Sequence, residues 1–238
     1  QLTVLDDYLE AYAPNVTAFF DTRDDYPNAL LSPDGTVRTL PIGDESAHNI
    51  IDSQLWINQK WLDQLNLQMP ETPEELKEVL IAFRDQDPNG NGIQDEIPFT
   101  FENAWGWGNT IENVFGAWGV LENGYHVFTE DGKVTFSAKE QGYYDTLSYL
   151  HDLYQEELID HDVFTLSEEQ YSARGAAGDV IGVFAGYGPQ NGAGVQNPDD
   201  YRALPILKQA DGSQMVGINN VTRTGGFVIS KNCKNPAA

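Results

Sequence analysis

The chain of 238 residues is long enough to form one large domain or two smaller ones, and its 40% hydrophobic and 11% aromatic content excludes a disordered protein. Its 37 acidic residues against 13 Lys and Arg give a formal net charge of −24. Because binding to a polyanion requires clusters of basic side chains, this charge excludes nucleic acid as a partner and disfavours an anionic membrane surface.

Capping signals predict where the helices begin. The motif Thr-Pro-Glu-Glu at residues 72–75 is a capping box with proline at the first helical position, and Ser-Glu-Glu-Gln at 167–170 begins a shorter helix. A third box, Ser-Ala-Lys-Glu at 137–140, predicts the longest helix. Asn109 precedes apolar residues at helical spacing, which predict an amphipathic helix ending near Gly119. The apolar faces expected after residues 72, 109 and 137 are, in that order, Leu76, Val79, Leu80 and Phe83; Ile111, Val114, Phe115 and Trp118; and Tyr143, Leu147, Leu150 and Tyr154.

Strands are predicted between these helices. Residues 180–185 form a continuous apolar run bounded by glycines, which is typical of a strand buried on both faces. Residues 125–129 and 133–136 alternate around Asp131-Gly132 and predict a hairpin. Because strands alternate with helices, the sequence predicts an α/β fold with a mixed or parallel sheet flanked by helices. The remaining strands are expected at residues 54–58, 201–206 and 226–230.

Residues 87–96 place oxygen-bearing side chains at alternate positions around two glycines, as a short loop that wraps a hard cation does. In the calcium loop of EF-hands, oxygens come from positions 1, 3, 5, 7 and 9, with glycine at position 6. Gly92 takes the glycine position, but position 12, where an EF-hand has a bidentate Glu, is Pro98. An Asn/Gly turn with solvated acids is the alternative. The predicted cation is a structural Ca²⁺, and its ligands are Asp87, Asn89, Asn91, Ile93 through its carbonyl oxygen, Asp95 and Glu96, which replaces the missing bidentate Glu.

Two tryptophans in a polar, glycine-rich stretch are candidates for ligand contact. Trp105 and Trp107 alternate with small residues, whereas a core tryptophan lies among periodic apolar neighbours. Sugars combine apolar C–H faces with hydroxyl groups, which suit aromatic rings beside carboxylates and amides. Tyr187 lies in a glycine-rich segment, 186–194, that follows the buried strand, where open α/β sheets bind ligands. We therefore expect a carbohydrate to contact Trp105, Trp107, Glu102, Asn103 and Tyr187, with loop anchoring as the alternative for the tryptophans.

The sequence contains no hydrolase motif of the serine or zinc type, and its four histidines have no shared spacing. A glycoside hydrolase or lyase needs only a close carboxyl pair, so the 37 acidic residues leave that alternative open. A calcium-stabilised adhesion or scaffold module is a second alternative, which the paired tryptophans disfavour. The single cysteine, Cys233, excludes an internal disulfide and a thiolate metal cluster. The sequence favours a monomeric binding protein that is not an enzyme.

Several segments together resemble one known family. Residues 55–62 and 69–76, the loop 87–98, and the strands at 180–187 and 225–232 are similar to the family 1 extracellular solute-binding proteins of bacterial ABC importers. This group contains the maltose-binding and alginate-binding proteins. The resemblance extends from about Asp6 to Ala238.

The resemblance implies a periplasmic-binding-protein-like (type II) fold, of which this chain contains mostly the second lobe and part of the first. Residues 1–54 are expected to be a partial first-lobe segment, residues 55–215 the second lobe with calcium loop 87–96, and residues 216–238 a return strand toward the first lobe. The family implies an oligosaccharide as the solute, an ABC importer permease as the partner, and a lipid anchor on the extracellular face of the cytoplasmic membrane. Since the family's opening strands are missing and Gln1 is not a Met, we expect a fragment of a longer protein.

Overall fold

The computed structural model describes residues 2–22, 30–43, 51, 54–102, 110–130, 132–218 and 222–236. The chain divides into two compact units, one formed by Gln1–Ile50 with Asn219–Ala238 and the other by Ile51–Ile218. The assignment of the chain to a first and a second lobe, with boundaries after residues 54 and 215, stays a prediction.

Helices and strands are interspersed along the chain. The α-helices are α1 (Asp6–Tyr12), α2 (Pro14–Phe20), α3 (Gln59–Leu65), α4 (Pro73–Asp85), α5 (Gln141–Gln155) and α6 (Glu168–Ala176). The strands are β1 (Thr39–Gly43), β2 (Leu55–Asn58), β3 (Ile97–Thr100), β4 (Val127–Glu130), β5 (Lys133–Phe136), β6 (Ile181–Ala185), β7 (Tyr201–Ala203) and β8 (Thr222–Val228). Short 3₁₀ helices span Glu112–Trp118, Ser137–Lys139 and Pro198–Asp200.

The first unit contains a two-stranded antiparallel sheet in which β1 pairs with β8. The pairing places Leu40 opposite Phe227 and is irregular between Leu40 and Ile42, where Pro41 has no N–H to donate. Helices α1 and α2 follow each other directly, and α2 begins with Pro14, whose fixed φ suits the first turn of a helix. The strand expected at residues 226–230 thus begins earlier, at Thr222.

The second unit is built on a four-stranded mixed sheet in the order β3-β6-β2-β7. β3 is parallel to β6, whereas β2 is antiparallel to both of its neighbours, β6 and β7. Every residue of β6 is buried, as its apolar run predicts. β7 ends at Ala203, earlier than expected, because Pro205 has no N–H for the sheet. The predicted α/β fold with a mixed sheet flanked by helices is confirmed.

Helix α4 packs on this sheet through its apolar face. The Thr72 hydroxyl accepts a hydrogen bond from the backbone N–H of Glu75, whose carboxylate accepts one from the N–H of Thr72, so this capping box is confirmed. Phe83 is fully buried, with its ring edge-on to Trp61 of α3 at a centroid distance of 5.2 Å. A Cβ on Gly182 would come within 2.5 Å of the Phe83 ring, so glycine in β6 permits the close helix–sheet contact.

The predictions around residues 111–155 are partly wrong. Residues Glu112–Trp118 form a 3₁₀ helix rather than an α-helix, although it ends at Gly119 as expected. The capping box at 137–140 does not form: residues 137–139 form a 3₁₀ helix, the N–H of Glu140 donates to the backbone carbonyl oxygen of Ser137, and α5 begins after Glu140 without a side-chain cap. The expected buried stripe of α5 is also wrong, since Leu147 is 45% exposed. Asn109 lies outside the described residues.

The hairpin and the shorter capped helix are confirmed. β4 and β5 pair in antiparallel fashion, with Val127 opposite Phe136, and Gly132 in the connection has a φ of +73°. The Ser167 hydroxyl accepts a hydrogen bond from the N–H of Gln170, whose side chain accepts one from the N–H of Ser167. Asp131 of the expected turn lies outside the described residues.

Candidate functional site

The carboxyl ends of β3 and β6 lie side by side, because the two strands are parallel neighbours in the sheet. Thr100 pairs with Phe184, so Glu102, two residues after β3, and Tyr187, two residues after β6, follow the sheet at the same edge. Glu102 is 5% exposed, and Tyr187 is half-buried. Asn103, Trp105 and Trp107 lie outside the described residues, and the role of all five residues in ligand contact stays a prediction.

Tyr171 of α6 fixes the end of β6. Its side chain is fully buried, and its phenol donates a hydrogen bond to the carbonyl oxygen of Ala185 at 2.5 Å. Burial raises the pKa of Tyr171 well above its usual value, and the negative charge of Glu102 adds to this rise. Helix α6 and the ends of β3 and β6 therefore meet at this edge of the sheet.

The segment after β6 is tightly folded. The backbone N–H of Gly186 donates to the carbonyl oxygen of Gln54, and the Trp56 indole N–H donates to the carbonyl oxygen of Gly186, each at 2.9 Å. Gly194 has a φ of +71°, and a Cβ on it would lie 1.8 Å from the carbonyl oxygen of Ser172 in α6. The backbone on both sides of Tyr187 is therefore held in place, by the segment 54–56 and by α6.

An apolar cavity of about 580 Å³ lies in the second unit beside the end of β3, where Phe101 and Glu102 line it. Its size is within the range of about 300–1,000 Å³ that is typical of ligand pockets. Sequence reasoning missed this cavity, because a stripe of Tyr and Leu that lines a cavity has the same spacing as one that faces a core. The helix α5 contributes the residues that the sequence predicts as a buried stripe: Tyr143, Leu147, Leu150 and Tyr154.

Carboxylates form the polar part of this cavity. The Glu122 side chain, 4% exposed, accepts a hydrogen bond from the Ser137 hydroxyl and contacts Nδ1 of His126 at 2.7 Å. Glu102 and Glu112 also line the cavity. The site therefore combines apolar and aromatic surfaces with groups that accept hydrogen bonds.

The segment 87–96 folds around the side-chain oxygens that were predicted as metal ligands. The Asp87 carboxylate accepts hydrogen bonds from the backbone N–H of Asn91 at 3.1 Å and of Gly92 at 3.0 Å. The Asn89 side-chain oxygen accepts from the N–H of Asn91 at 2.9 Å. The side-chain amides of Asn89 and Asn91 both donate to the Asp95 carboxylate at 3.1 Å. These bonds bring the side chains of residues 87, 89, 91 and 95 together.

Glu96 has a buried carboxylate oxygen, Oε1, for which the described residues provide no hydrogen-bond partner. Burial raises the pKa of Glu96, and the negative charges of Asp95 and Asp87 add to the rise. The carbonyl oxygen of Ile93 accepts from the N–H of Asp95 at 3.0 Å. No group of three or more His, Cys, Asp or Glu side chains within the described ranges is arranged to hold a metal ion. A cation in this loop would therefore depend on amide and backbone oxygens as well as on carboxylates.

No family model matches the chain. The chain is 33% identical over 234 residues to the fructooligosaccharide ABC transporter substrate-binding protein FusA of Streptococcus pneumoniae serotype 4. This match covers 95% of this chain and 42% of FusA. It is 30% identical over 168 residues to the lipoprotein LipO and 29% identical over 167 residues to the polygalacturonan/rhamnogalacturonan-binding protein YtcQ, both of Bacillus subtilis. Each of these two matches covers 66% of this chain, and 33% of LipO or 32% of YtcQ.

Solved structures are similar over nearly the whole chain. An EF-hand mutant of S. pneumoniae FusA in complex with fructo-nystose matches with a TM-score of 0.76 at 29% identity, over 99% of this chain and 49% of that one. The chain is a homologue of ABC-transporter substrate-binding proteins. An HMO-binding solute-binding protein from Bifidobacterium longum infantis matches with a TM-score of 0.82 at 25% identity, over 98% of this chain and 50% of that one. The predicted resemblance is thus confirmed.

The chain spans less than half the length of the curated relatives that it matches. The relatives are ABC-transporter substrate-binding proteins, a class that generally has no enzymatic activity. Across the described ranges, none of the helices combines the length and the apolar character that crossing a membrane requires.

Proposed function

We propose that the parent protein captures an oligosaccharide outside the cytoplasmic membrane and delivers it to an ABC importer permease without catalysing a reaction. This chain supplies one side of the binding site in the proposal. FusA is described as a fructooligosaccharide transporter component, YtcQ as a polygalacturonan/rhamnogalacturonan-binding protein, and the B. longum infantis protein as HMO-binding. These relatives support a carbohydrate as the solute.

The parallel pairing of β3 with β6 is the observation that carries the proposal. It brings a carboxylate, Glu102, and an aromatic side chain, Tyr187, to the edge of the sheet where open α/β folds bind ligands. In the proposal Tyr187, Trp105 and Trp107 stack on sugar rings, while Glu102 and Asn103 form hydrogen bonds with hydroxyl groups. Solute binding then shifts the protein toward a closed form that the permease recognises.

We also infer that the loop 87–96 holds a structural Ca²⁺ through Asp87, Asn89, Asn91, the Ile93 carbonyl, Asp95 and Glu96. The unpartnered buried oxygen of Glu96, beside the charges of Asp95 and Asp87, fits a hard cation that takes oxygen ligands. The description of one FusA structure as an EF-hand mutant supports a loop of this type among the relatives. A bound Ca²⁺ would supply the positive charge that neutralises these carboxylates. The loop would then tie the end of α4 to the start of β3.

The proposed location is the extracellular face of the cytoplasmic membrane, with a lipid anchor in the parent protein. The description of LipO as a lipoprotein supports the anchor, and the transporter role of FusA supports a permease as the partner. The proposed state of the parent protein is a monomer.

A ligand screen of the full-length parent tests the function. Thermal unfolding and intrinsic tryptophan fluorescence are measured against a panel of oligosaccharides, in calcium and in excess chelator. A ligand at a hundredfold excess over its dissociation constant stabilises the folded state by about 2.7 kcal/mol. We expect one class of sugar to raise the melting temperature of the protein. We also expect that sugar not to be cleaved. A folded parent that responds to no oligosaccharide contradicts the proposal, and turnover of the bound sugar favours a glycoside hydrolase or lyase instead.

A further inference from the structure

The cavity beside β3 has the surface chemistry of a sugar site. Tyr143, Leu147, Leu150 and Tyr154 of α5 line one side of it, and Phe164 lies next to the Tyr154 ring at a centroid distance of 5.5 Å. Rings and branched aliphatic side chains of this kind pack against the C–H faces of a sugar. Leu147 and Phe164 are 45% and 62% exposed, so this surface is open to a ligand.

Three of the described residues that line the cavity are carboxylates. Glu102, Glu112 and Glu122 line it, and the described lining residues include no Lys or Arg. Each of the two lining histidines lies beside a carboxylate: Nδ1 of His126 contacts Glu122 at 2.7 Å, and Nδ1 of His151 lies 3.6 Å from Asp152.

Tyr143 lies among the lining residues, near the carboxylate of Glu122. Burial raises the pKa of its phenol, and the negative charge of Glu122 adds to the rise. An anionic group that enters the cavity would lose its hydrating water and would also be repelled by the carboxylates. A neutral sugar is not repelled by the carboxylates, and its hydroxyl groups can replace hydrogen bonds to water by donating to those carboxylates.

We propose that this cavity binds a neutral sugar unit of the solute and discriminates against uronate-containing oligosaccharides. The inference rests on the carbohydrate-binding function proposed above and narrows it to one chemical class. It separates this chain from YtcQ, whose description names an acidic polysaccharide. The carboxylates of the cavity repel a uronate, whereas a neutral sugar makes favourable contacts, and both effects contribute to the difference in affinity.

The test compares neutral and acidic oligosaccharides on the full-length parent. Dissociation constants are measured by isothermal titration calorimetry for kestose, raffinose, maltotriose, lacto-N-tetraose and trigalacturonate. We expect at least one neutral sugar to bind about tenfold or more tightly than trigalacturonate. Trigalacturonate binding as tightly as the best neutral sugar overturns the inference but leaves the carbohydrate function standing. If a folded parent binds none of the five, both are overturned.

A charge introduced into the cavity tests whether the preference for neutral sugars arises there. Leu147→Arg places a cation on the exposed part of the lining, and Tyr144→Arg places the same cation on α5 at a position 67% exposed that does not line the cavity. Equal melting temperatures of the two variants check that both are folded. We expect Leu147→Arg to weaken neutral-sugar binding about tenfold and to reduce the preference over trigalacturonate, with Tyr144→Arg unchanged. Unchanged binding by Leu147→Arg, or equal effects of both variants, overturns the cavity as the site.

Discussion

The phenol of Tyr171 in α6 donates its hydrogen bond to the carbonyl oxygen of Ala185, the last residue of β6, at 2.5 Å. The candidate ligand residue Tyr187 follows two positions later. A buried hydrogen bond thus connects the helix to the strand end that presents the site. The position of that strand end depends on a side chain that does not itself have to touch the ligand.

Replacing Tyr171 with Phe removes this bond and keeps the ring. We expect the free energy of unfolding to fall by about 1 kcal/mol, because the fully buried carbonyl partner loses its donor. Urea denaturation measures the change. Tyr144→Phe is the matched control, since Tyr144 is 67% exposed and its change is expected to stay within about 0.5 kcal/mol. Equal losses in the two variants would show that the Tyr171 bond contributes nothing.

We expect ionisation of buried tyrosines to lower stability at alkaline pH. Burial raises the pKa of Tyr149, Tyr171 and Tyr201 above the usual value of 10. Each neutral phenol is favoured by the folded state, so its contribution is complete below about pH 10 and is lost as pH rises and the unfolded state ionises. Each group lowers the free energy of unfolding by up to about 1.4 kcal/mol per pH unit in that range.

The measurement is denaturant unfolding at a series of pH values between neutral and strongly alkaline, with tyrosinate absorbance as a second readout. Tyr149→Phe removes the hydrogen bond to the Pro73 carbonyl but is expected to make stability less steep in alkali. Stability that is independent of pH above 10, or an unchanged slope in the variant, contradicts this account.

Gly182 permits the contact between β6 and α4. A Cβ at this position would meet the Phe83 ring at 2.5 Å and the Pro98 carbonyl oxygen at 2.7 Å. We expect Gly182→Ala to lower the free energy of unfolding by about 1–3 kcal/mol, as overpacked cores do. Gly217→Ala is the control, because a Cβ there meets only the Glu122 carbonyl oxygen at 3.9 Å. If Gly182→Ala leaves the free energy of unfolding unchanged, α4 can move away from β6 without loss of stability.

The calcium loop is tested by a substitution that keeps its backbone. Asp87 has a φ of +46°, which Asn tolerates well, so Asp87→Asn removes a charge without adding strain. We expect calcium to raise the melting temperature of the unchanged protein by more than that of the variant, with the two nearly equal in excess chelator. Asp152→Asn, at an exposed position of α5, is expected to leave the calcium response intact. The same loss with and without calcium would remove the metal site from the proposal.

Trp105→Ala separates a ligand contact from a structural anchor. We expect it to weaken oligosaccharide binding about tenfold, the loss of one aromatic contact of about 1–1.5 kcal/mol, with little change in melting temperature. Trp61→Ala provides the contrast, because Trp61 is fully buried against Phe83 and its truncation is expected to cost about 3–5 kcal/mol. A large loss of stability with intact binding would make Trp105 an anchor.

Local chemistry made part of this fold predictable. The capping boxes at Thr72 and Ser167 form as expected, because all of their partners lie within one helical turn. The same motif at Ser137 fails, since residues 137–139 form a 3₁₀ helix and the helix α5 begins only after Glu140. The apolar run of β6 predicted a buried strand, but not that its neighbours would be β3 and β2.

The candidate site was also predictable only in part. The sequence selected Glu102 because it lies beside the two loop tryptophans, and Tyr187 because it follows a predicted buried strand. The strand β3 before Glu102 was not predicted, and its parallel pairing with β6 brings the two strand ends to one edge. The cavity could not be predicted, because it depends on how far α5 stands from the end of β3 and not on the pattern of either segment.

The strand order of the second unit also constrains the path by which it folds. The central strand β6 pairs with β3 and β2, both of which are synthesised long before it, and β7 completes the sheet only after β6 has emerged. The two strands of this sheet that are synthesised before β6, namely β2 and β3, are not neighbours in it, so each must wait for a partner distant in sequence and loop-closure entropy opposes the first pairing. During translation, the apolar faces of α3 and α4 must remain without their sheet until residue 185 has left the ribosome. A nascent chain that stalls earlier exposes Trp61 and Phe83 to aggregation.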